Sequence, residues 1–78
     1  MRVETLTDER VAVLHAVAQH TARRGYPPSL RDLAEAVGLG VTTTSYHVGR
    51  LAAGGYVEHT PRLPRTLRLT QAGSAVVA

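Results

Sequence analysis

Between Val41 and Val57 the chain carries no aspartate or glutamate. Within that stretch Thr43, Tyr46, His47 and Arg50 recur at i, i+3, i+4 and i+7, the spacing that puts side chains on one face of a helix. All four donate or accept hydrogen bonds. A merely solvated helical face usually mixes acids with bases, whereas this one suits the edges of stacked base pairs. Arginine pairs bidentately with guanine, histidine donates to guanine or phosphate, and threonine methyls meet thymine methyls. At the start of the same segment, Thr42-Thr43-Thr44-Ser45 offers hydroxyls and free N–H groups to phosphate or base edges. Only one of these four is needed as a helix cap. Farther along, Arg62 and Arg65 sit in a Pro-bounded turn, with Arg68 beyond it. Arginines at such a tip can grip flanking phosphates or enter a minor groove.

No other constellation competes. His15 and His20 stand at i and i+5, which is not a ligand pair, and His47 and His59 are single. There is no cysteine, so disulfides and thiolate metal sites are excluded. Ser29 and Ser45 serve better as caps than as nucleophiles. The expectation is a non-enzymatic protein with no cofactor and no metal.

These side chains require elements to hold them. Thr7 followed by Asp8 and Glu9 caps a first helix, and Leu6 with Val11 fits a hydrophobic staple. Its apolar stripe is Val11, Leu14, Val17, Ala18 and Thr21, and Arg23-Arg24-Gly25 closes it. Tyr26-Pro27-Pro28 is extended. Ser29-Leu30-Arg31-Asp32 is a capping box for a second, two-turn helix with Leu30, Leu33, Ala34 and Val37 inside and Gly38 at its end. A third helix is predicted over 43–53, with Thr44, Val48 and Leu51 inward. Ala34 at the helix crossing and Gly38 at the turn fit a helix-turn-helix unit. Gly49, which weakens a helix interior, suggests close approach of another backbone or of DNA. Two alternating runs, 56–60 and 65–70, flank the Pro-bounded turn and read as a hairpin. The uncharged segment 71–78 is expected to be a tail, either disordered or a turn of helix. The predicted fold class is mainly α with a small β-hairpin: a winged helix-turn-helix with a three-helix core plus wing, one domain over 1–78 with its core at about 6–70.

Composition agrees. The 78 residues allow one small core, built from Val, Leu and Ala because Phe and Trp are absent. The net charge of +3 comes entirely from arginine, and Val41–Ala78 holds four arginines against one acid, Glu58. A basic balance of this kind suggests a polyanionic partner. No apolar run approaches a membrane span and the first residues lack a signal-peptide core, so the expected location is cytoplasmic.

The residues also resemble a known family. Leu6-Thr7, then the run from Arg24-Gly25-Tyr26-Pro27-Pro28-Ser29 through Leu33-Ala34 to Gly38-Leu39, is similar to the DNA-binding domain of LexA repressors. Ser45-Tyr46-His47-Val48, Arg50-Leu51, Gly55-Tyr56-Val57 and Pro64-Arg65-Thr66-Leu67-Arg68-Leu69 extend the similarity to about Thr70. The resemblance implies a winged helix-turn-helix that reads duplex DNA in the major groove, with Thr42, Thr43, Thr44, Ser45 and His47 at the base-reading positions. It implies backbone contact near Pro27-Pro28 and Ser29, and Arg31 is grouped with them. The third helix begins one or more residues short of the family pattern, and Gly49 replaces a larger residue. With no room for the family's Ser/Lys peptidase, the expectation is a stand-alone domain, although Ala72-Gly73 is similar to the family's cleaved bond. The run from the wing strand into Leu69-Thr70-Gln71-Ala72-Gly73 also resembles the Leu-Thr-x-Ala-Gly pattern of other winged-helix regulators such as the MarR type. The expected function is transcriptional regulation, as a repressor, with a homodimer forming at least on DNA. The alternative is a protein-interaction module acting on a larger regulator or polymerase.

Overall fold

The computed structural model describes residues 6–60 and 62–78. Its elements run α1 (Asp8–Arg24), α2 (Leu30–Val37), α3 (Val41–Ala53), β1 (Val57–Glu58), β2 (Arg68–Leu69) and α4 (Gln71–Val77). This is a winged helix-turn-helix with a fourth helix added.

The predicted caps of the first two helices are present. The Arg10 N–H donates to Thr7 Oγ1 at 3.2 Å, with Asp8 and Glu9 in the first turn of α1. In α2 the Asp32 N–H donates to Ser29 Oγ at 3.0 Å, and the Ser29 N–H donates to Asp32 Oδ2 at 3.1 Å. Gly38 ends α2 at φ 74°, a left-handed conformation that costs glycine little. Leu39 and Gly40 then turn the chain directly into α3.

α3 starts two residues earlier than its sequence suggested. Gly40 is its N-cap and contributes no side-chain bond. The four hydroxyl residues 42–45 therefore lie inside the first turns of the helix, and none serves as its cap.

One apolar cluster unites Val13, Leu14 and Val17 of α1, Leu33 of α2, Val48 and Leu51 of α3, Val57 of β1, and Leu67 just before β2. The buried arc of α1 is broader than the expected stripe. Val13 is fully buried, Val11 and Ala18 are half-buried, and Thr21 is exposed. The reason is that α2, α3, β2 and α4 all pack on α1, so the helix is enclosed from more than one side.

The wing is a two-stranded antiparallel ribbon in which Val57 pairs with Leu69 and Glu58 with Arg68. Its strands are shorter than the alternating runs predicted. The segment between them is held by side chains instead: the Thr60 N–H donates to Thr66 Oγ1 at 2.8 Å, and the Thr66 hydroxyl faces the Leu63 carbonyl at 3.0 Å.

The expected tail 71–78 is instead mostly helix. Thr70 caps α4 by accepting from the Gly73 N–H at 3.2 Å, and its own hydroxyl donates to the Gly55 carbonyl. The Thr70 N–H donates to the Tyr56 carbonyl at 3.0 Å. α4 lies on α1, and Val76 and Val77 pack against the core. Gly73 is buried. A Cβ there would fall on the Tyr56 carbonyl oxygen, so only glycine lets α4 come this close. Among the described residues, no helix is long and apolar enough to cross a membrane.

Candidate nucleic-acid interface

α3 is the second helix of the helix-turn-helix unit, and its packing decides which side chains reach solvent. Thr44, His47, Val48 and Leu51 turn inward. Thr42, Thr43, Ser45, Tyr46, Gly49 and Arg50 are exposed, with Tyr46 at 60% of its full accessible surface. At 100° per residue, Thr42, Tyr46, Gly49 and Ala53 run along the middle of the outer face. Ser45 and Arg50 flank them. The outer face has no acid, and its centre at Gly49 is flat. A Cβ at Gly49 would meet nothing within 4 Å, so the glycine serves no close approach within the chain.

Two expected members of this face are elsewhere. Thr44 is fully buried, with its hydroxyl unpartnered, because it lies on the inward stripe its spacing with Val48 and Leu51 already marked. His47 is 7% exposed and faces the start of α1. Arg10 Nε donates to its Nδ1 at 3.3 Å, and its Nε2 lies 3.0 Å from Glu9 Oε1. This arrangement is that of a neutral ring accepting at Nδ1 and donating at Nε2. His47 was expected outside because periodicity puts it at the border of the inner stripe. The N-terminal turn of α1 covers that border.

The same contact brings Arg10, which no local pattern singled out, to the interface. Its guanidinium carbon stands 5.9 Å from the centre of the Tyr46 ring. Arg10 thereby links buried His47 to exposed Tyr46.

Ser29 is half-buried by its capping role, and Arg31 beside it is exposed. The wing lies next to this end of α2. A cleft of about 330 Å³ separates them, lined by Pro28, Ser29 and Leu30 on one side and by residues of the 59–67 segment on the other.

Arg62 and Arg65 both adopt left-handed backbone conformations, φ 69° and 60°. That geometry costs a residue with a Cβ roughly 1 kcal/mol or more. The two side chains then part. Arg62 is exposed with no protein partner among the described residues. Arg65 turns back: its Nη1 donates to the Pro27 carbonyl at 3.2 Å and to Asp32 Oδ2 at 3.3 Å, and its guanidinium lies 4.7 Å from the Tyr26 ring centre. Asp32 thus serves both the α2 cap and the wing. The Ser29 backbone N–H holds its carboxyl below the ordinary carboxylate value; partial burial opposes this, and the Ser29 hydroxyl side and Arg65 reinforce it. Among the described residues no group of three or more His, Cys, Asp or Glu could hold a metal ion.

Known proteins share this architecture. Residues 3–66 match the family model of the LexA DNA binding domain. The chain is 39% identical to the LexA repressor of Limosilactobacillus fermentum over 72 residues, covering 91% of this chain and 35% of that protein. It is 32% identical to the LexA repressor of Leifsonia xyli subsp. xyli over 69 residues, covering 87% of this chain and 31% of that protein. It therefore spans about a third of the length of these relatives. Among solved structures, the transcriptional regulator Tm0710 of Thermotoga maritima superposes with a TM-score of 0.71 at 26% identity, covering 92% of this chain and 49% of that one. The helix-turn-helix, the wing and the sequence match agree: the chain belongs to the LexA DNA-binding domain family.

Proposed function

We propose that this chain binds double-stranded DNA as the reading head of a transcriptional repressor, with α3 in the major groove and the wing along the backbone. The observation that carries the reading is the outer face of α3. Thr42, Thr43, Ser45, Tyr46, Gly49 and Arg50 form a solvent-facing surface of α3 with no acidic member, and Arg31 of α2 and Arg62 of the wing are exposed as well. The flat centre at Gly49 suits a helix laid against base edges. The relatives named LexA repressors support the same role.

In this reading Arg50, Thr42, Thr43, Ser45 and Tyr46 approach base edges, while Ser29, Arg31 and Arg62 approach phosphates. Thr44 and His47 hold α3 in place and do not touch DNA. A single small domain makes few phosphate contacts, so a homodimer on a two-fold site would supply affinity. The site of action is the cytoplasm, and the reading includes no catalytic step.

Binding to duplexes selected from a random pool, followed across a salt series, tests the proposal. Affinity should fall linearly on logarithmic axes as salt rises. Arg50→Ala should flatten the preference for the selected sequence, while Arg62→Ala should weaken selected and random duplexes alike. Retention that ignores salt, or losses on Arg50→Ala that are equal for both duplexes, would overturn it.

A further inference from the structure

Arg62 and Arg65 look equivalent in sequence, and the fold makes them different. Both pay for a left-handed backbone at the wing, but only Arg65 uses its guanidinium inside the molecule. One nitrogen reaches the Pro27 carbonyl and the Asp32 carboxylate, and the plane lies over Tyr26. Tyr26 in turn meets His20 of α1 edge-on, with ring centres 5.4 Å apart. Asp32 is fixed by the Ser29 capping box. The wing tip is thereby fastened to the α1–α2 connection and to the first turn of α2. Immediately beyond Arg65, Thr66 closes the wing on itself through Thr60 and Leu63.

We propose that Arg65 is a positioning residue, a latch that sets the angle of the wing against the helix-turn-helix, and that Arg62 is the wing's phosphate ligand. Its effect on DNA rests on the DNA-binding reading above; the latch itself does not. A guanidinium is required, because one of its nitrogens bonds both oxygens while its central carbon lies over the Tyr26 ring; a lysine ammonium could reach the two oxygens but could not cover the ring at the same time. A phosphate contact would tolerate lysine as a point charge. Arg65 lines the cleft between wing and α2 and ties the wing to Asp32 on its other side.

Two measurements decide the matter. The first needs no DNA. Amide hydrogen exchange at Thr60 and Leu63 is compared in the wild type, Arg65→Gln, Arg65→Lys and Tyr26→Leu. The latch predicts exchange roughly three- to tenfold faster in all three variants, as expected for losing an exposed stack and charge-assisted bonds. Tyr26→Leu should add little to Arg65→Gln, because each removes the same contact. The second is the salt dependence of duplex binding. Arg62→Gln should reduce the slope of log K against log salt by about 0.9, one phosphate's worth. Arg65→Gln should weaken binding about equally at every salt concentration, with the wild-type slope kept, and Arg65→Lys should not restore affinity. Unchanged exchange in Arg65→Gln, a slope reduced as in Arg62→Gln, or rescue by lysine would each overturn the latch. If the wild type shows no salt-dependent binding, the DNA reading fails, and the exchange arm still decides for or against the latch.

Discussion

Gly49→Ala and Gly73→Ala make the same chemical change, one methyl on a glycine within a helix, and the structure gives them opposite signs. Helix propensity alone favours both, by up to about 1 kcal/mol. At Gly49 nothing opposes it, since an added Cβ meets no atom within 4 Å. At Gly73 the Cβ would land on the Tyr56 carbonyl oxygen, with the carbonyl carbon at 3.1 Å and Leu69 Cβ at 3.5 Å. That oxygen cannot swing away, because it accepts from the Thr70 N–H and lies between α3 and β1. α4 must therefore shift outward. The apolar side chains that α4 itself buries set the scale of the cost. Undocking it would expose the half-buried Val76 and Val77, worth roughly 2–3 kcal/mol together if each retains half the value of a fully buried valine. After the propensity gain, Gly73→Ala should cost about 1–2 kcal/mol and Gly49→Ala should gain about 0.5–1 kcal/mol. For a domain of this size the melting temperatures of the two variants should differ by roughly 6–24 °C. Urea unfolding followed by circular dichroism measures both. Equal slopes with displaced midpoints would assign the difference to stability. If Gly73→Ala proves as stable as the wild type, α4 is not seated on Tyr56, and the argument for this helix collapses.

Thr44→Val should stabilise the fold by about 1 kcal/mol, because it removes a buried hydroxyl that has no partner while keeping the shape of the side chain; thermal melting reads the change. His47→Ala should lower stability by about 2 kcal/mol, since it empties a buried position and removes the ring that Glu9 and Arg10 bond, yet it should leave the ranking of duplex sequences unchanged; a binding-site selection repeated with the variant checks the second half. Asp32 should contribute to the acid limb of stability. Its native carboxyl titrates below the ordinary value, so its contribution is complete above the unfolded carboxyl's range and disappears as the pH falls through the native value. Asp32→Asn should therefore be less stable than the wild type at neutral pH, with the gap closing in acid; a gap that stays constant down the titration would contradict the assignment.

The first two helices were legible in the sequence because their termini are chemically marked. Thr7, Ser29 with Asp32, and Gly38 each act within four residues of the groups they satisfy. α3 began early because its cap, Gly40, has no side-chain oxygen to mark it, and the hydroxyl-rich run that follows drew the boundary two residues inward. α4 was hidden for a different reason. Seven small, uncharged residues make no stable helix alone. It exists through its seat on α1 and on the Tyr56 carbonyl, contacts far away in sequence. The site shows the same division. Periodicity correctly put Thr43, Tyr46 and Arg50 outside and Val48 and Leu51 inside. His47 stood at the border, and only the arrival of Glu9 and Arg10, 38 and 37 residues away, decides which way it faces. Arg65 could not be told from Arg62 by any local rule, because Tyr26, Pro27 and Asp32 reach it from across the fold.

The packing of α4 on α1 joins the last helix of these 78 residues to the first, which has a consequence for how the chain is made. During synthesis α1 emerges first, with Val13, Leu14 and Val17 and nothing yet to cover them. Its neighbours arrive one after another, and α4 follows the other described elements. At about 5–20 residues per second the wait is on the order of seconds. Over that interval the nascent chain presents an amphipathic helix of 17 residues with an open apolar side.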